Sequence, residues 1–326
     1  CKRNRKPGNP VPVKTHRLPG IGSPVSRLGM GTAELGSRIG RDATVKLFEQ
    51  YAEAGGNFFD TAHTYASWIP DGLGKSERVV GEWLRRDERS RWIVGTKGGH
   101  CSVGDRYARP DAFMAPELVR RDLAESLERL QLDWVDLYSF HRDDPRVPVG
   151  ELVDLAHEFV ESGRAKAVGV SNWGTGRLGE ALEYSVRTGK TKFVGLQNQW
   201  SLAQPNWTET GPGAVRFIPN SEVDHILGMG VAVYAYSPTA NGYFATGGQR
   251  GEGYRGPAND ARLARAQKIA EEKGVTPNQV ALAWLLSQPL PVVALLGTGD
   301  PQHLADALRA PDLLLSDAER DWLLNG

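Results

Sequence analysis

The chain has 326 residues, a length normal for one α/β barrel with a few insertions. Its 39 Lys and Arg residues balance 39 Asp and Glu residues, so the formal net charge of zero argues against a nucleic-acid or acidic-membrane partner. The two cysteines, Cys1 and Cys101, exclude a disulfide framework and a CxxC metal pair.

The beginning of the chain carries a basic run, Lys2 to Lys6, in a segment rich in Pro and Gly. We interpret residues 1–15 as a solvated, flexible tail and residues 16–326 as a single domain. The first twenty residues lack the apolar segment of a signal peptide, and no apolar stretch is long enough to cross a bilayer. With so few cysteines, we expect a cytoplasmic location.

Short apolar runs alternate along the chain with amphipathic stretches, which predicts parallel strands joined by crossover helices. The predicted strands are 27–31, 57–60, 92–97, 135–141, 166–171, 193–199, 231–236 and 292–296. The predicted helices include 43–54, one beginning at Ser76, one beginning at Pro116, 151–162 and 277–287. Two long segments rich in Gly, Pro and polar residues, 200–220 and 238–258, are predicted loops.

Eight parallel strands close into a barrel that their own side chains can fill, so the predicted fold is an α/β (β/α)8 TIM barrel. An open doubly wound sheet is the alternative. It is disfavoured because no Gly-x-Gly-x-x-Gly lies between a strand and a helix. Gly20-Ile21-Gly22 precedes the first predicted strand and indicates a turn.

Polar side chains follow successive predicted strands: Asp60, Lys97 and His141 end strands two to four, and Tyr65 comes soon after Asp60. Alone, each has an ordinary structural interpretation, as a capping carboxylate, a solvated lysine, a core histidine or a rim aromatic. Together, at the end of a barrel where active sites form, they predict a catalytic cluster. A lysine beside a phenol lowers the phenol's pKa, which would make Tyr65 a general acid near neutral pH.

In this cluster His141 would donate a hydrogen bond to a substrate oxygen and orient it. The four groups suit protonation of a carbonyl oxygen while hydride arrives at its carbon. Asn and Gln side chains after later strands are complementary to a nicotinamide carboxamide, which offers both donors and an acceptor.

Six motifs, in the same order and spanning roughly residues 27–310, resemble those of the aldo-keto reductase family, and of its bacterial members in particular. They are Phe59-Asp60-Thr61-Ala62-x-x-Tyr65, Thr96-Lys97, Phe140-His141-Arg142-x-Asp144, Gly169-Val170-Ser171-Asn172-Trp173, Ala235-Tyr236-Ser237-Pro238 and Gly297-Thr298. The resemblance implies NAD(P)H-dependent reduction of an aldehyde or ketone, with Asp60, Tyr65, Lys97 and His141 as the catalytic tetrad.

The resemblance also implies a set of cofactor contacts. Besides Asp60, these are Gly31 and Thr32 as the floor, Ser171, Asn172 and Gln197 at the carboxamide, Tyr236 stacked on the nicotinamide, Ser237, Pro238, Thr239, Asn241 and Gly242 along the pyrophosphate, and Gly297, Thr298, Gly299, His303 and Asp306 near the adenosine half.

One part of the resemblance departs from the family pattern. The family usually places a basic residue for the NADP 2′-phosphate where this chain has Gly299 and Asp300, and Ala307 replaces a frequent Asn. A carboxylate repels a 2′-phosphate but accepts hydrogen bonds from a free 2′-hydroxyl. NAD and NADP are therefore both expected cofactors, and Arg250 or Arg255 could supply a phosphate partner.

Substrate contacts are expected from loops on the same rim. The candidates are His63, Trp68, His100, Trp173 and Trp200, whose rings suit sugar-like carbonyl compounds. A structural interpretation is that Trp68 and Trp173 only exclude water, while His63 is also a candidate second acid or base. A metal site is not expected, because the His, Cys and Asp spacing fits no standard pattern and Lys97 would repel a cation.

Two other functions fit parts of the sequence. A cofactor-binding regulatory subunit would bind nicotinamide without turnover and would need a protein partner. A barrel lyase or hydrolase using Asp60 and His141 would bind no nicotinamide. The leading hypothesis needs only a small-molecule carbonyl substrate, and no sequence feature specifies an oligomeric state.

Overall fold

The computed structural model describes residues 13–326. A two-stranded antiparallel hairpin, β1 (Thr15–His16) and β2 (Val25–Ser26), precedes a closed barrel of eight parallel strands. The barrel strands are β3 (Leu28–Gly31), β4 (Phe58–Asp60), β5 (Ile93–Gly98), β6 (Val135–Phe140), β7 (Ala165–Ser171), β8 (Gly195–Gln197), β9 (Ala232–Ala235) and β10 (Val292–Leu296). The pairing of β10 with β3 closes the barrel and confirms the predicted fold class.

Helices cover the outside of the barrel. They are α1 (Arg41–Glu53), α2 (Lys75–Leu84), α3 (Pro116–Leu130), α4 (Val149–Glu161), α5 (Thr175–Thr188), α6 (Val223–Met229), α7 (Pro257–Lys273), α8 (Pro277–Leu286), α9 (Pro301–Leu308) and α10 (Asp317–Asn325). No helix between residues 13 and 326 is long and apolar enough to span a membrane. Helices α5, α6, α7, α9 and α10 were not delimited from sequence.

The barrel strands are buried on both faces, which is why the chain shows them as continuous apolar runs. Every residue of β5 and β10 is buried. The outer faces pack against the helices in one large apolar cluster, and the inner faces form a second, smaller cluster. The periodicity of the sequence therefore located the strands. The predicted and observed bounds differ by one or two residues at the majority of strand ends.

The hairpin closes the amino-terminal end of the barrel. Leu18, Ile21 and Val25 belong to the same buried cluster as Phe58 and Leu295 of the barrel interior. The sequence did not predict this plug, because its strands are only two residues long. With that end filled by apolar side chains, the carboxyl ends of the strands form the open face.

The predicted tail lies mostly outside the described residues, and so does its basic run. Its last three residues lie against the barrel: Val13 is buried, and Lys14 Nζ donates to the Pro311 carbonyl at 2.9 Å. The domain boundary after residue 15 stays a prediction. The loop over 238–258 contains two short 3₁₀ turns, Ala240–Gly242 and Glu252–Tyr254.

Candidate active site

Neighbouring parallel strands bring the predicted tetrad to one rim. Asp60 is the last residue of β4, Lys97 lies one residue before the end of β5, and His141 directly follows β6. The backbone N–H of His63 donates to the Lys97 carbonyl at 2.9 Å, which ties the loop leading to Tyr65 against β5. The register of the sheet, together with this loop contact, gathers four side chains from distant parts of the chain.

A buried ion pair forms the base of the site. Lys97 Nζ lies 2.8 Å from Asp60 Oδ2 and donates to the Thr61 carbonyl at 2.6 Å. The two side chains are 2% and 4% exposed. Burial alone would lower the pKa of Lys97, but the Asp60 charge and the hydrogen bonds to Asp60 and Tyr65 together outweigh it and raise that pKa. Lys97 is therefore held as a cation.

Tyr65 lies above this ion pair, with Lys97 Nζ 4.7 Å from the centre of its ring. Burial raises the pKa of the phenol, and the Lys97 cation offsets only part of that rise. The expectation of a pKa lowered below its usual value is therefore wrong for this structure, because desolvation of the phenolate exceeds its attraction to Lys97. The phenol is therefore held protonated.

His141 faces the same phenol, with a distance of 5.8 Å between the two ring centres. Burial lowers its pKa well below the usual value, and the charges on Lys97 and Arg142 act in the same direction. The imidazole is therefore neutral and can donate one hydrogen bond without carrying charge. Its Nδ1 is buried and has no partner among the described residues.

A cavity of about 850 Å³ runs from Asp60 and Tyr65 along the rim. Its walls include most of the predicted cofactor contacts. These are Gly31, Thr32, Asp60, Tyr236, Ser237, Pro238, Thr239, Asn241, Gly242, Gly297, Thr298, Gly299, His303 and Asp306.

The loop after β9 is unusual in its backbone. Ser237, Ala240 and Asn241 all have positive φ, between 49° and 54°. Non-glycine residues adopt this conformation rarely, and it concentrates at binding sites. The loop thus follows the cavity wall in a shape that ordinary turns do not adopt.

The three predicted carboxamide contacts lie beside this cavity but are bonded to protein groups. Gln197 Nε2 donates to both Asp60 oxygens at 3.2 and 3.3 Å, and Ser171 Oγ donates to the Gln197 carbonyl. Asn172 Oδ1 accepts from the Tyr236 hydroxyl at 2.7 Å. Together they support Asp60 and Tyr236 from below, and a bound carboxamide would have to exchange with these bonds.

Two of the five predicted substrate residues lie next to the tetrad. The Trp68 ring centre is 6.3 Å from that of Tyr65. The His100 ring centre is 4.6 Å from that of His141. His100 Nδ1 lies 2.7 Å from the Cys101 carbonyl, and Arg142 Nε donates to its Nε2, so both ring nitrogens have partners.

The structure places the other three in the protein interior, away from the cavity. His63 Nε2 lies 2.8 Å from Glu125 Oε2, and its Nδ1 lies 3.1 Å from the Tyr107 hydroxyl. Trp173 is fully buried against Phe193, and Trp200 packs on Trp284. A core role explains these residues better than substrate contact or, for His63, acid-base chemistry.

The structure explains why Gly299 and Asp300 stand where the family usually has a basic residue. A Cβ on Gly299 would lie 2.2 Å from Ile39 Cδ1, so a basic side chain has no room there unless Ile39 shifts. Asp300 caps α9, accepting from Gln302 N at 2.7 Å, and this bond lowers the pKa of its carboxyl. Asp300 is therefore anionic at the edge of the cavity.

Part of the cavity wall was not predicted from the sequence. Thr276, Pro277 and Asn278, at the start of α8, line the cavity. Thr276 and Asn278 both donate to the Asp306 carboxylate, at 2.9 Å. The Thr-Pro pair signals a helix start, but only the packing of α8 against α9 brings it to the site. A site suited to a metal, built from three His, Cys, Asp or Glu side chains, does not occur among residues 13–326.

Comparison with known proteins shows that most of the chain is similar to aldo/keto reductases and other oxidoreductases. The model of the aldo/keto reductase family matches residues 27–322. An uncharacterized oxidoreductase of Mycobacterium tuberculosis is 33% identical, over 93% of this chain and 90% of its own length. A 6-dehydroglucose reductase of Novosphingobium aromaticivorans is 28% identical, over 96% of this chain and 94% of its own length.

A fungal protein and a solved structure agree with these matches. An aldo-keto reductase of Emericella nidulans is 28% identical, over 97% of this chain and 82% of its own length. A crystal structure of a thermostable aldo-keto reductase, in complex with the inhibitor epalrestat, superposes with a TM-score of 0.73. That superposition covers 95% of this chain and 98% of the solved one, at 23% identity, and shows a shared fold.

The closed barrel of eight parallel strands and the similarity to oxidoreductases together define the class of this protein. It is a (β/α)8-barrel oxidoreductase. More specifically, the chain belongs to the aldo/keto reductase family.

Proposed function

We propose that this protein is an NAD(P)H-dependent reductase that converts a small aldehyde or ketone to the alcohol, with Tyr65 as proton donor. The observation that carries the proposal is the meeting of Asp60, Tyr65, Lys97 and His141 in one cluster, of which Asp60 and Tyr65 line the rim cavity. Alcohol oxidation, the reverse reaction, would use the same residues.

Each of the four side chains has a separate role in the proposed reduction. When bound, the nicotinamide supplies hydride to the carbonyl carbon. Tyr65 donates its phenolic proton to the carbonyl oxygen, and Lys97 stabilises the phenolate that remains. Asp60 holds Lys97 in place through the 2.8 Å ion pair. The neutral imidazole of His141 orients the carbonyl oxygen by a hydrogen bond.

The polar and glycine-rich lining of the cavity suits a dinucleotide in its chemistry. One end carries Asp60 and Tyr65, and the other reaches His303 and Asp306. We propose that it accepts either NADH or NADPH. Asp300, anionic and capping α9, suits a free 2′-hydroxyl, whereas Arg250 lines the same cavity and can pair with a 2′-phosphate. Arg255 instead donates to the backbone carbonyls of Gly248 and Gln249.

Replacing Arg250 with Gln should separate the two cofactors. We expect the Kd for NADPH to rise about fivefold, since an exposed charge-assisted contact contributes about 1 kcal/mol. The Kd for NADH should change less than about twofold. Titration of tryptophan fluorescence with each cofactor measures both values. Arg255→Gln is the matched control, and an equal loss of both affinities in Arg250→Gln would contradict the assignment.

The function itself is tested by cofactor oxidation. Purified protein is mixed with NADH or NADPH and a panel of small aldehydes and ketones, and absorbance of the reduced nicotinamide is followed. Sugar-derived aldehydes belong in the panel because one relative is named a 6-dehydroglucose reductase. Tight cofactor binding with no turnover of any carbonyl would favour a regulatory subunit, and no cofactor binding would reject both.

A further inference from the structure

The Arg142 guanidinium, beside the proposed catalytic groups, has no carboxylate partner among residues 13–326. Arg142 directly follows His141 and is partly buried. Its Nε donates to His100 Nε2 at 3.0 Å, and its Nη1 is buried with no hydrogen-bond partner. No carboxylate of the described chain lies within 4.0 Å of its guanidinium nitrogens.

Three partly buried arginines around the barrel are paired with carboxylates. Arg109 binds Asp122, Arg129 binds Glu77 at 3.2 Å, and Arg177 binds Asp143 at 2.9 Å. Burying an unpaired charge is unfavourable, and a buried polar atom without a partner requires an explanation. The buried Nη1 of Arg142, which has no partner, therefore points to a group that is not part of the described chain.

The position of Arg142 indicates which side of the site that partner occupies. The His100 ring, which Arg142 holds, lies 4.6 Å from the His141 ring, and His141 in turn faces Tyr65. The positive charge of Arg142 contributes to lowering the pKa of both histidines. It also acts on Tyr65 and Tyr236, so its field reaches the centre of the site.

His100 gives the guanidinium a fixed orientation. Burial lowers the pKa of His100 to about 3, so its ring is neutral. Its Nδ1 lies 2.7 Å from the Cys101 carbonyl, which places the proton on Nδ1 and leaves Nε2 to accept from Arg142. With Nε occupied, the Nη groups are left to donate to another oxygen.

We propose that Arg142 binds a carboxylate carried by the substrate, so that the preferred substrates are small oxo-carboxylates. The inference rests on the proposed reductase function and adds the substrate class to it. A guanidinium pairs with a planar carboxylate through parallel hydrogen bonds. A phosphate would usually gather several cations, and a single guanidinium fits the smaller anion better.

The first test compares oxo-carboxylates of increasing chain length with their methyl esters. The wild type should show higher kcat/KM for the acid than for the ester at one length or more. In Arg142→Gln, kcat/KM for that acid should fall about 10- to 100-fold, mainly through KM, because a hydrogen-bonded charge pair is lost. The ester should change less than about threefold.

Two further variants control for structure and net charge. Arg142→Lys keeps the charge and should retain a measurable preference for the acid. Arg187→Gln removes an exposed arginine of α5 and should leave the preference intact. An equal fall for acid and ester in Arg142→Gln, with no recovery in Arg142→Lys, would show that Arg142 only supports His100 and would overturn the proposal.

A binding measurement separates this proposal from the proposed function. Succinate, which cannot be reduced, should quench or shift tryptophan fluorescence of the wild type with bound cofactor and have at least tenfold weaker affinity for Arg142→Gln. Succinate binding without turnover of any carbonyl would reject the reductase and keep the anion site. Turnover of esters with no preference for acids, or a stronger preference for a phosphorylated aldehyde, would reject the carboxylate assignment.

Discussion

Replacing Tyr65 with Phe should lower kcat for carbonyl reduction by about 10²- to 10⁴-fold, the range that one positioned general acid contributes. The ring stays in place against Lys97 and Trp68, so only the proton donor is removed. The Kd for the reduced cofactor should change less than about threefold. Steady-state rates on a carbonyl panel and a fluorescence titration with NADH and NADPH measure the two quantities.

Tyr51→Phe is the matched control, because its hydroxyl is also buried but donates to backbone carbonyls of Leu28 and Phe58, away from the cavity. That variant should lose stability by about 1 kcal/mol and keep its kcat. If Tyr65→Phe reduced carbonyls as fast as the wild type, Tyr65 would not be the acid and the proposed mechanism would be abandoned.

Replacing Lys97 with Met should lower the free energy of unfolding by about 3–5 kcal/mol, because it leaves the Asp60 carboxylate buried without its cation. Activity should fall as well, since the phenolate of Tyr65 loses its stabilising charge. Burial already raises the pKa of Asp60, and without Lys97 nothing cationic opposes that rise. Denaturant unfolding, followed by tryptophan fluorescence, measures the loss.

A double variant, Lys97→Met with Asp60→Asn, distinguishes stability from catalysis. It removes both charges and should recover most of the lost free energy while leaving activity low. In the single variant, protonation of Asp60 relieves the unpaired charge. A folded-state pKa raised above the unfolded one favours the folded state at acid pH, so the deficit should shrink as pH falls. A single variant as stable as the wild type at neutral pH would contradict the structural role of the ion pair.

The surroundings of some residues depend on contacts with distant parts of the chain, which no local sequence pattern predicts. From its sequence position beside Tyr65, His63 was predicted to lie on the rim. In the structure its ring is buried and bonds to Glu125, which lies 62 residues away in the chain. Trp200 follows a strand yet packs on Trp284. The lack of room at Gly299 comes from Ile39, which lies far away in the chain. Each outcome depends on which distant element packs against the residue.

The order of strands, the barrel and the rim position of Asp60, Tyr65, Lys97 and His141 were determined by the sequence itself. Buried parallel strands must be apolar throughout, and the polar residues that end them are displayed at one face. Tertiary structure alone decided the direction of the Tyr65 pKa shift and left Arg142 Nη1 buried with no partner among residues 13–326. The physical reason is that desolvation and charge pairing depend on everything that surrounds a group, and those surroundings are assembled only when the chain folds.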